Sequence, residues 1–289
     1  MGMLDRIFRR GRPVTDRQTT AALEAVRRPA LQVGNVQGIG GRERQEDSFA
    51  IVNAANARQL EEKGLFAVVA DGMGGMEEGR GASETAVASF TQLFQSLLEE
   101  GDIPRQLREG AEAVSDGIFQ RFGGQSGTTV VAVRILNGQL HWVSVGDSAI
   151  FLKRGECVFQ LNREHTCLND LYLQELEREP IQKERAEEDE DARRLTAFLG
   201  IDHLRMVDQS LRPWRLQAGD RVLLCSDGIS GVLGPAELKE AMSLPPDEGC
   251  RLLETLVLEK GIAEQDNYTG ILIAYDTSDR RDNNHEKHA

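Results

Sequence analysis

Residues 68–75 read VVADGMGG: a short apolar run, then an aspartate, then three glycines within four positions. The pattern predicts a buried strand that ends at Asp71 and turns sharply through the glycines. A nucleotide-binding loop is excluded by spacing. The dinucleotide fingerprint requires glycine where Glu77 stands, and the P-loop requires a Gly-Lys-Ser/Thr that is absent. Taken alone, the stretch is equally compatible with an ordinary tight turn in which Asp71 has no chemical role.

Four further aspartates stand at the ends of predicted strands, and they make a chemical role for Asp71 more plausible. The segment LLCSDG repeats the pattern of an apolar strand followed by Asp-Gly and supplies Asp227, while Asp47, Asp147 and Asp266 stand at other strand boundaries. Residues at strand ends reach the rim of a sheet, so these carboxylates can converge if the strands are neighbours. Crowded carboxylates raise one another's pKa values unless a divalent cation lies between them. The pattern therefore predicts a cation site built from strand ends.

The available ligand atoms indicate the kind of cation and the kind of chemistry. Carboxylate and carbonyl oxygens, without Cys or His, suit hard ions such as Mg²⁺ or Mn²⁺ and disfavour Zn²⁺. Gly72 has no side chain and is suited to offer a backbone carbonyl. The sequence contains neither HExxH nor GxSxG, so a zinc peptidase or a serine hydrolase is not expected. Metal-activated water is the chemistry that is left.

The composition is typical of a soluble globular protein. The chain has 289 residues, of which 40% are hydrophobic and 28% charged, and its formal net charge is −13. That charge argues against nucleic acids and anionic membranes as main partners, and the apolar runs are too short to predict a transmembrane segment. The four cysteines show no CxxC spacing and follow no secretion signal, so we expect reduced, mostly buried thiols in a cytoplasmic protein.

Hydrophobic periodicity divides the chain into a leader, a central domain and a tail. The flexible basic leader is predicted for residues 1–30, the domain for 31–277, and a disordered tail for 278–289. Strands are predicted over 31–38, 47–54 and 64–71, in four segments across 128–161, in RVLLCSDG ending at Asp227, and in TGILIAYD at 269–276. Helices are predicted over about 81–100, 104–122, 235–242 and 246–260.

The order of these elements indicates the fold class. NGQ at residues 137–139 predicts a hairpin turn. Bursts of strands followed by helices favour an α+β fold with antiparallel or mixed sheets covered by helices over a doubly wound parallel sheet. Residues 162–200 are polar and include the acidic run EEDED at 187–191, which predicts a mobile insertion over the surface.

With these residues assembled, the sequence resembles the metal-dependent Ser/Thr protein phosphatases of the PPM family, also called protein phosphatase type 2C. The resemblance covers about residues 33–276 and rests on seven ordered segments: RERQED (42–47), VVADGMGG (68–75) with EGRGAS (78–83), SGTTVVAV (126–133), VSVGDS (143–148), REHT (163–166), LLCSDG (223–228) and DNYTGILIA (266–274). It implies a four-layer α/β/β/α sandwich with two central, mainly antiparallel sheets. It also implies a flap-like insertion at about residues 168–197.

The resemblance further implies a set of metal ligands and a reaction. The residues that match the ligands are Asp47, Asp71, Gly72, Asp147, Asp227 and Asp266. Asp71 would bridge two ions, with Gly72 lending its carbonyl, and Asp147 together with Asp227 would hold a weaker third ion. The implied reaction is hydrolysis of phosphoserine and phosphothreonine in proteins by a water that bridges two Mn²⁺ or Mg²⁺ ions.

Two further residues match catalytic positions of the family. Arg42 resembles the arginine that binds the substrate phosphate, although it could also be a surface arginine beside Arg44. Glu46 resembles the residue that orients the metal-bound water. The expected partners are phosphorylated proteins from a Ser/Thr kinase pathway.

The sequence departs from the family pattern at four positions. Met73 stands where many eukaryotic members carry a histidine proposed as general acid, and bacterial members commonly have methionine there, so the chain resembles the bacterial type. Ala149 replaces an arginine, Gln45 an asparagine and Gly231 an aspartate, which weakens any extra metal site near Gly231. His165 is either a proton donor or, as we favour, a structural hydrogen-bonding residue.

Two other functions are compatible with part of the pattern. A two-metal nuclease or phosphodiesterase would use the same ions, but the acidic balance and the lack of a basic groove argue against it. A binding module that keeps the fold without catalysis would recognise a phosphorylated partner, and it would not need every carboxylate that this sequence retains.

Overall fold

The computed structural model describes residues 28–73, 77–97 and 101–278. The predicted leader and tail lie outside these residues, apart from the outer ends of the first and last strands, and so do Gly74 and Gly75 of the predicted turn. The strands are β1 Arg28–Gly38, β2 Ser48–Val52, β3 Leu65–Ala70, β4 Gly72–Met73, β5 Gly127–Thr128, β6 Val130–Leu136, β7 Gln139–Val145, β8 Ala149–Arg154, β9 Cys157–Gln160, β10 Asp208–Gln209, β11 Trp214–Arg215, β12 Asp220–Cys225 and β13 Tyr268–Ser278. The helices are α1 Ala57–Lys63, α2 Glu77–Ser96, α3 Ile103–Phe122, α4 Leu168–Leu176, α5 Lys183–Glu187, α6 Asp227–Ser230, α7 Pro235–Ala241 and α8 Pro246–Glu259.

The strands form two large sheets and one small one. The first sheet has the order β1-β13-β12-β8-β9, and the second has the order β10-β7-β6-β3-β2 with β11 beside β7. In the first sheet β12 is antiparallel to β13 and to β8, and in the second β3 is antiparallel to β2 and to β6. The two-residue strands β4 and β5 pair with each other. The predicted antiparallel character of the sheets is confirmed.

Strand β3, LFAVVA, explains how the layers are stacked. All six residues are buried, and because side chains alternate across a strand, they divide between two cores. Leu65, Ala67 and Val69 pack into the core between the two sheets. Phe66, Val68 and Ala70 pack under α2 and α3. With α7 and α8 covering the other sheet, this gives the predicted four-layer α/β/β/α sandwich.

The predicted helices and the predicted hairpin turn are present, and the helix boundaries differ slightly from those predicted. Helix α3 begins after Asp102, whose side chain accepts a hydrogen bond from the Arg105 backbone N–H at 3.3 Å, and it ends at Gly123 with φ 63°. Helix α2 begins four residues earlier than predicted. The hairpin between β6 and β7 turns through Asn137 and Gly138, both with positive φ, as expected for a two-residue turn.

The segment between β9 and β10 is more deeply integrated than a polar surface insertion. It contains α4 and α5, and the predicted exposure of the acidic run at 187–191 is confirmed. Glu175, however, is buried at 3% exposure, where it accepts hydrogen bonds from Arg178 at 3.2 Å and Arg185 at 3.0 Å. Its burial is possible because two guanidinium groups neutralise it. The role of residues 168–197 as a flap stays a prediction.

Three further observations bear on the predictions made from the sequence. The four cysteines are free, but only Cys225 and Cys250 are buried, so the expectation of mostly buried thiols is half right. Trp142 and Phe151 are partly buried and pack against the cores. None of the helices within residues 28–73, 77–97 and 101–278 is long and apolar enough to cross a membrane.

Candidate active site

Seven of the eight predicted site residues, all except Asp47, line a cleft of about 480 Å³ at one rim of the sandwich. Elements of both sheets supply them. Asp71 directly follows β3 of the second sheet, and Asp147 lies in the connection from β7 of that sheet to β8 of the first. The prediction that β12 runs to Asp227 is wrong: the strand ends at Cys225, and Asp227 begins the short helix α6. The residues lining the cleft include Arg42, Glu46, Asp71, Gly72, Asp147, Asp227 and Asp266.

Asp71 is held in place by its backbone. Its N–H donates to Thr129 Oγ1 at 3.1 Å, and its carbonyl accepts from the Thr129 N–H and from Thr128 Oγ1, both at 2.8 Å. Burial raises the pKa of the Asp71 carboxyl well above its usual range, and the charges of neighbouring aspartates, first Asp47 and then Asp227, raise it further. The backbone therefore fixes this carboxyl where its ionisation is opposed.

Asp47 lies behind the cleft and is 4% exposed. Its Oδ2 accepts a hydrogen bond from Ser226 Oγ at 2.8 Å, and the same hydroxyl oxygen accepts from the Thr269 N–H at 3.0 Å. Burial raises the pKa of Asp47 to about 6, although the hydrogen bonds to Thr269 and Ser226 lower it. Ser226 thus joins the residue before β2 of one sheet to β13 of the other.

Burial and neighbouring charges also favour the protonated forms of Asp147 and Asp227. Burial, followed by the charge of Asp227, raises the pKa of Asp147 to about 7. Burial and then Asp266 raise the pKa of Asp227. Without a cation, burial and mutual repulsion therefore favour the protonated forms of Asp47, Asp71, Asp147 and Asp227.

The donor set fits divalent cations in chemistry, though it is not preformed around them. Three buried carboxylate oxygens have no hydrogen-bond partner among the described residues: Glu46 Oε1, Asp47 Oδ1 and Asp227 Oδ1. Buried acceptors without donors are costly, and a cation would satisfy them. Within residues 28–73, 77–97 and 101–278, however, no three Asp, Glu, His or Cys side chains already surround a common point from which they could hold an ion. A cation would compete with protons for these carboxylates, because their pKa values are raised.

Gly72 is required by the close approach of two other segments. A Cβ built on Gly72 would lie 2.3 Å from the Gly79 carbonyl oxygen and 2.7 Å from the Glu46 carbonyl oxygen. Both obstacles are backbone atoms, which cannot move aside cheaply. The glycine after Asp71 therefore lets α2 and the loop before β2 close around the carboxylate.

Arg42 and Glu46 stand on the loop between β1 and β2, facing the same cleft. Arg42 Nη2 donates to Asp266 Oδ2 at 2.6 Å, with 54% of the arginine side chain exposed. Burial raises the pKa of Glu46, the nearby Arg42 lowers it, and Asp266 raises it. A guanidinium and a carboxyl with elevated proton affinity thus lie beside the aspartate cluster.

Asn267 is a site residue to which sequence reasoning assigned no role. Its Oδ1 accepts from the Glu46 N–H at 2.7 Å, and its Nδ2 donates to the carbonyls of Ile39 at 2.8 Å and Arg44 at 2.9 Å. It therefore positions the whole Arg42–Glu46 loop. The only signal in the sequence was its place beside Asp266 in DNYTG. Ser226 is a second such residue, and its only signal in the sequence was its place beside Asp227.

The structure gives three of the four departures from the family pattern, and His165, a local setting. Gln45 donates to the Gly38 carbonyl and accepts from the Asp47 N–H, and Ala149 is fully buried in the core under α7 and α8. The carbonyl of Met73 accepts from Ser126 Oγ at 3.0 Å. Nδ1 of His165 accepts from the Gly146 N–H at 3.0 Å, and burial lowers the pKa of His165. These contacts favour the structural interpretation of His165.

Comparison with known proteins identifies relatives by sequence. A family model described as protein phosphatase 2C matches residues 41–260, so Asp266 lies beyond the matched span. The serine/threonine phosphatase stp of Listeria innocua is 30% identical over 189 residues, which cover 63% of this chain and 73% of that protein.

Two solved structures extend the similarity to the fold. The Mycobacterium tuberculosis serine/threonine phosphatase PstP/Ppp is 25% identical with a TM-score of 0.67, covering 85% of this chain and 99% of that one. The catalytic domain of serine threonine protein phosphatase PstP, solved in complex with 2 manganese ions, is 24% identical with a TM-score of 0.65, covering 86% of this chain and 100% of that one. Since the family model spans well over half of its residues, the chain belongs to the protein phosphatase 2C family, and its similarities are to bacterial, PPM-type members.

Proposed function

We propose that this protein hydrolyses phosphoserine and phosphothreonine residues in proteins, using divalent cations held by the carboxylate cluster. The observation that carries the proposal is the crowding of buried carboxyls with raised pKa values and unpaired oxygens at a cleft that also contains an arginine. Relatives named as serine/threonine phosphatases support the substrate class.

The cation ligands in this proposal are the carboxylates of Asp47, Asp71, Asp147, Asp227 and Asp266 and the carbonyl of Gly72. Mn²⁺ or Mg²⁺ bound there would lower the pKa of a water and withdraw charge from the phosphoryl oxygens. The manganese ions of the PstP structure support this choice of metal. Two ions are proposed, with Asp147 and Asp227 able to hold a weaker third.

Arg42 is proposed to bind the phosphoryl group. Its guanidinium has five N–H donors, of which one is used by Asp266, and its exposure leaves the others free to reach the equatorial oxygens of a phosphate monoester. Such charge-assisted pairs are strong and orient the group bidentately. Arg42 would thus hold the phosphorus in line for attack by water.

Glu46 is proposed to orient that water. Its Oε1 lacks a partner among the described residues, and its raised pKa makes it a better proton acceptor than an exposed glutamate. Met73 has no proton to give, so the leaving alkoxide would take its proton from water. The bond that breaks is between phosphorus and the alkoxide oxygen, and no covalent enzyme intermediate is needed.

Phosphorylated proteins are the corresponding partners, and we place their source in a Ser/Thr kinase pathway. We also propose a cytoplasmic location, which the four free cysteines support.

Phosphopeptide hydrolysis tests this proposal. The wild type should turn over a phosphothreonine peptide with Mn²⁺ or Mg²⁺ and lose activity in a chelator. Asp227→Asn should lower kcat/KM by more than about tenfold, because it removes one negative charge from the ligand set. Asp202→Asn, the same change at a side chain that is 69% exposed, should leave the rate unchanged. Full activity of Asp227→Asn after metal is stripped would end the proposal.

A further inference from the structure

Arg193 lies on a segment that is fixed against the entrance of the cleft. Three backbone hydrogen bonds hold residues 192–196 against residues 165–168. They run from the Leu168 N–H to the Ala192 carbonyl at 3.0 Å, from the Cys167 N–H to the Arg194 carbonyl at 2.9 Å, and from the Thr196 N–H to the His165 carbonyl at 2.8 Å. Leu195 lines the cleft itself. The backbone of Arg193 is therefore held at a defined place two residues from the active-site wall.

The side chain of Arg193 reaches across to the helix that begins at Asp227. Its Nη1 lies 3.7 Å from the Cβ position of Gly231, whose N–H donates to the Asp227 carbonyl at 2.7 Å. The charge of Arg193, together with that of Arg42, lowers the pKa of Asp227.

Among the described residues, the guanidinium of Arg193 differs from those of its neighbours because its hydrogen-bond donors are unused. Within the residues that the structure describes, it makes no hydrogen bond and no ion pair. By contrast, Arg194 pairs with Asp191 at 3.3 Å, and Arg42 pairs with Asp266. An exposed guanidinium held at the rim of an active site retains all of its donors for a ligand.

We propose that Arg193 binds an acidic side chain of the substrate, next to the phosphorylated residue, and so makes the enzyme prefer phosphopeptides with acidic flanks. The inference rests on the proposed function. Arg193 lies outside the residues that line the cleft, so it is placed to contact the peptide beside the phosphoryl group. The phosphoryl group itself is proposed to bind Arg42. The ligand is a carboxylate or a second phosphate, the groups that a guanidinium binds bidentately.

The size of the preference is limited by the surroundings of Arg193. The acidic run at 187–191 is exposed and close in the chain, so it opposes an acidic peptide. Charge pairs at exposed sites are weak. We therefore expect a preference of about three- to fivefold in kcat/KM, appearing mainly in KM.

The test compares three phosphothreonine peptides that differ only in acidic, neutral or basic flanking residues, assayed with Mn²⁺. Wild type should favour the acidic peptide by the factor given above. Arg193→Ala should abolish the preference, Arg193→Lys should keep part of it, and Arg193→Glu should reverse it toward the basic peptide. A purely structural role would not produce the reversal. Arg194→Ala removes the same charge one residue away and should leave the preference intact.

Several outcomes would overturn the inference. These are equal kcat/KM for the three peptides in wild type, an unaltered preference in Arg193→Glu, or equal effects of Arg193→Ala and Arg194→Ala, which would indicate a general electrostatic effect. Hydrolysis of p-nitrophenyl phosphate separates the two proposals. If wild type hydrolyses this ester but no phosphopeptide, the proposed function fails and the inference fails with it, whereas phosphopeptide turnover without a flank preference refutes the inference alone.

Discussion

Replacing Asp47 by asparagine should alter stability in opposite directions with and without a divalent cation. Asp47 is 4% exposed, and burial raises its pKa from the ordinary 3.8 to about 6. The unfolded chain therefore releases this proton near pH 3.8, whereas the folded protein holds it until about pH 6. The stability that the proton confers is full below pH 3.8 and is lost as pH rises through 6. At about 1.36 kcal/mol per pH unit, that loss is roughly 3 kcal/mol.

The asparagine variant lacks this proton equilibrium but can keep the contacts of Asp47. Its amide oxygen can accept from Ser226, and its amide nitrogen can donate to the Asp71 carboxyl. In a chelator, Asp47→Asn should match wild type near pH 4 and exceed its free energy of unfolding by roughly 3 kcal/mol at neutral pH. With saturating Mn²⁺ the order should reverse, because a bound cation stabilises the folded state and the variant has lost a ligand.

Urea unfolding from about pH 3.5 to 7.5 measures both effects. The difference between variant and wild type isolates Asp47 from the other groups that titrate. Asp202→Asn, at an exposed side chain, should follow wild type at every pH. A difference between Asp47→Asn and wild type that stays constant with pH in chelator, or that keeps its sign when Mn²⁺ is added, would refute the reasoning.

Three further predictions concern the groups around the cluster. Gly72→Ala should destabilise the fold by about 1–3 kcal/mol, because the added Cβ would clash with two carbonyls. Gly117→Ala in α3, where an added Cβ meets nothing within 4 Å, should instead stabilise the fold by about 0.5–1 kcal/mol. Urea unfolding checks both. Asn267→Ala should cost about 1–3 kcal/mol of stability and lower kcat/KM for a phosphopeptide, since the Glu46 N–H loses its acceptor. Arg42→Ala should raise KM by about tenfold and tighten Mn²⁺ binding in calorimetry, because it frees the carboxylate that the arginine now pairs; unchanged affinity would contradict this.

Much of the fold could be predicted because its signals are local. The uninterrupted apolar run of β3 predicted a buried strand, and Asn137–Gly138 predicted the hairpin. Aspartates at strand ends predicted where carboxylates would gather, since a strand end places its residue at a sheet rim. These inferences require only neighbouring residues and the geometry of a strand.

The features that could not be predicted depend on contacts between distant segments. Asn267 holds Glu46 across 221 residues, and Ser226 holds Asp47 across 179; neither residue differs in type from many exposed ones. Likewise, the composition around Glu175 indicates a solvated surface, and only the folded positions of two arginines explain its burial. Asp227 was predicted at the end of a strand because a run of apolar residues does not indicate where the strand stops and a short helix begins.

The double burial of β3 has a consequence for how this protein can change. Substitutions that preserve volume can be accommodated one face at a time, but an inserted or deleted residue within 65–70 would turn every subsequent side chain to the opposite side. Asp71, immediately downstream, would be turned away from the cleft by the same event. Insertions and deletions are therefore tolerated only in the connections between strands, and the position of Asp71 depends on the same packing as the interior.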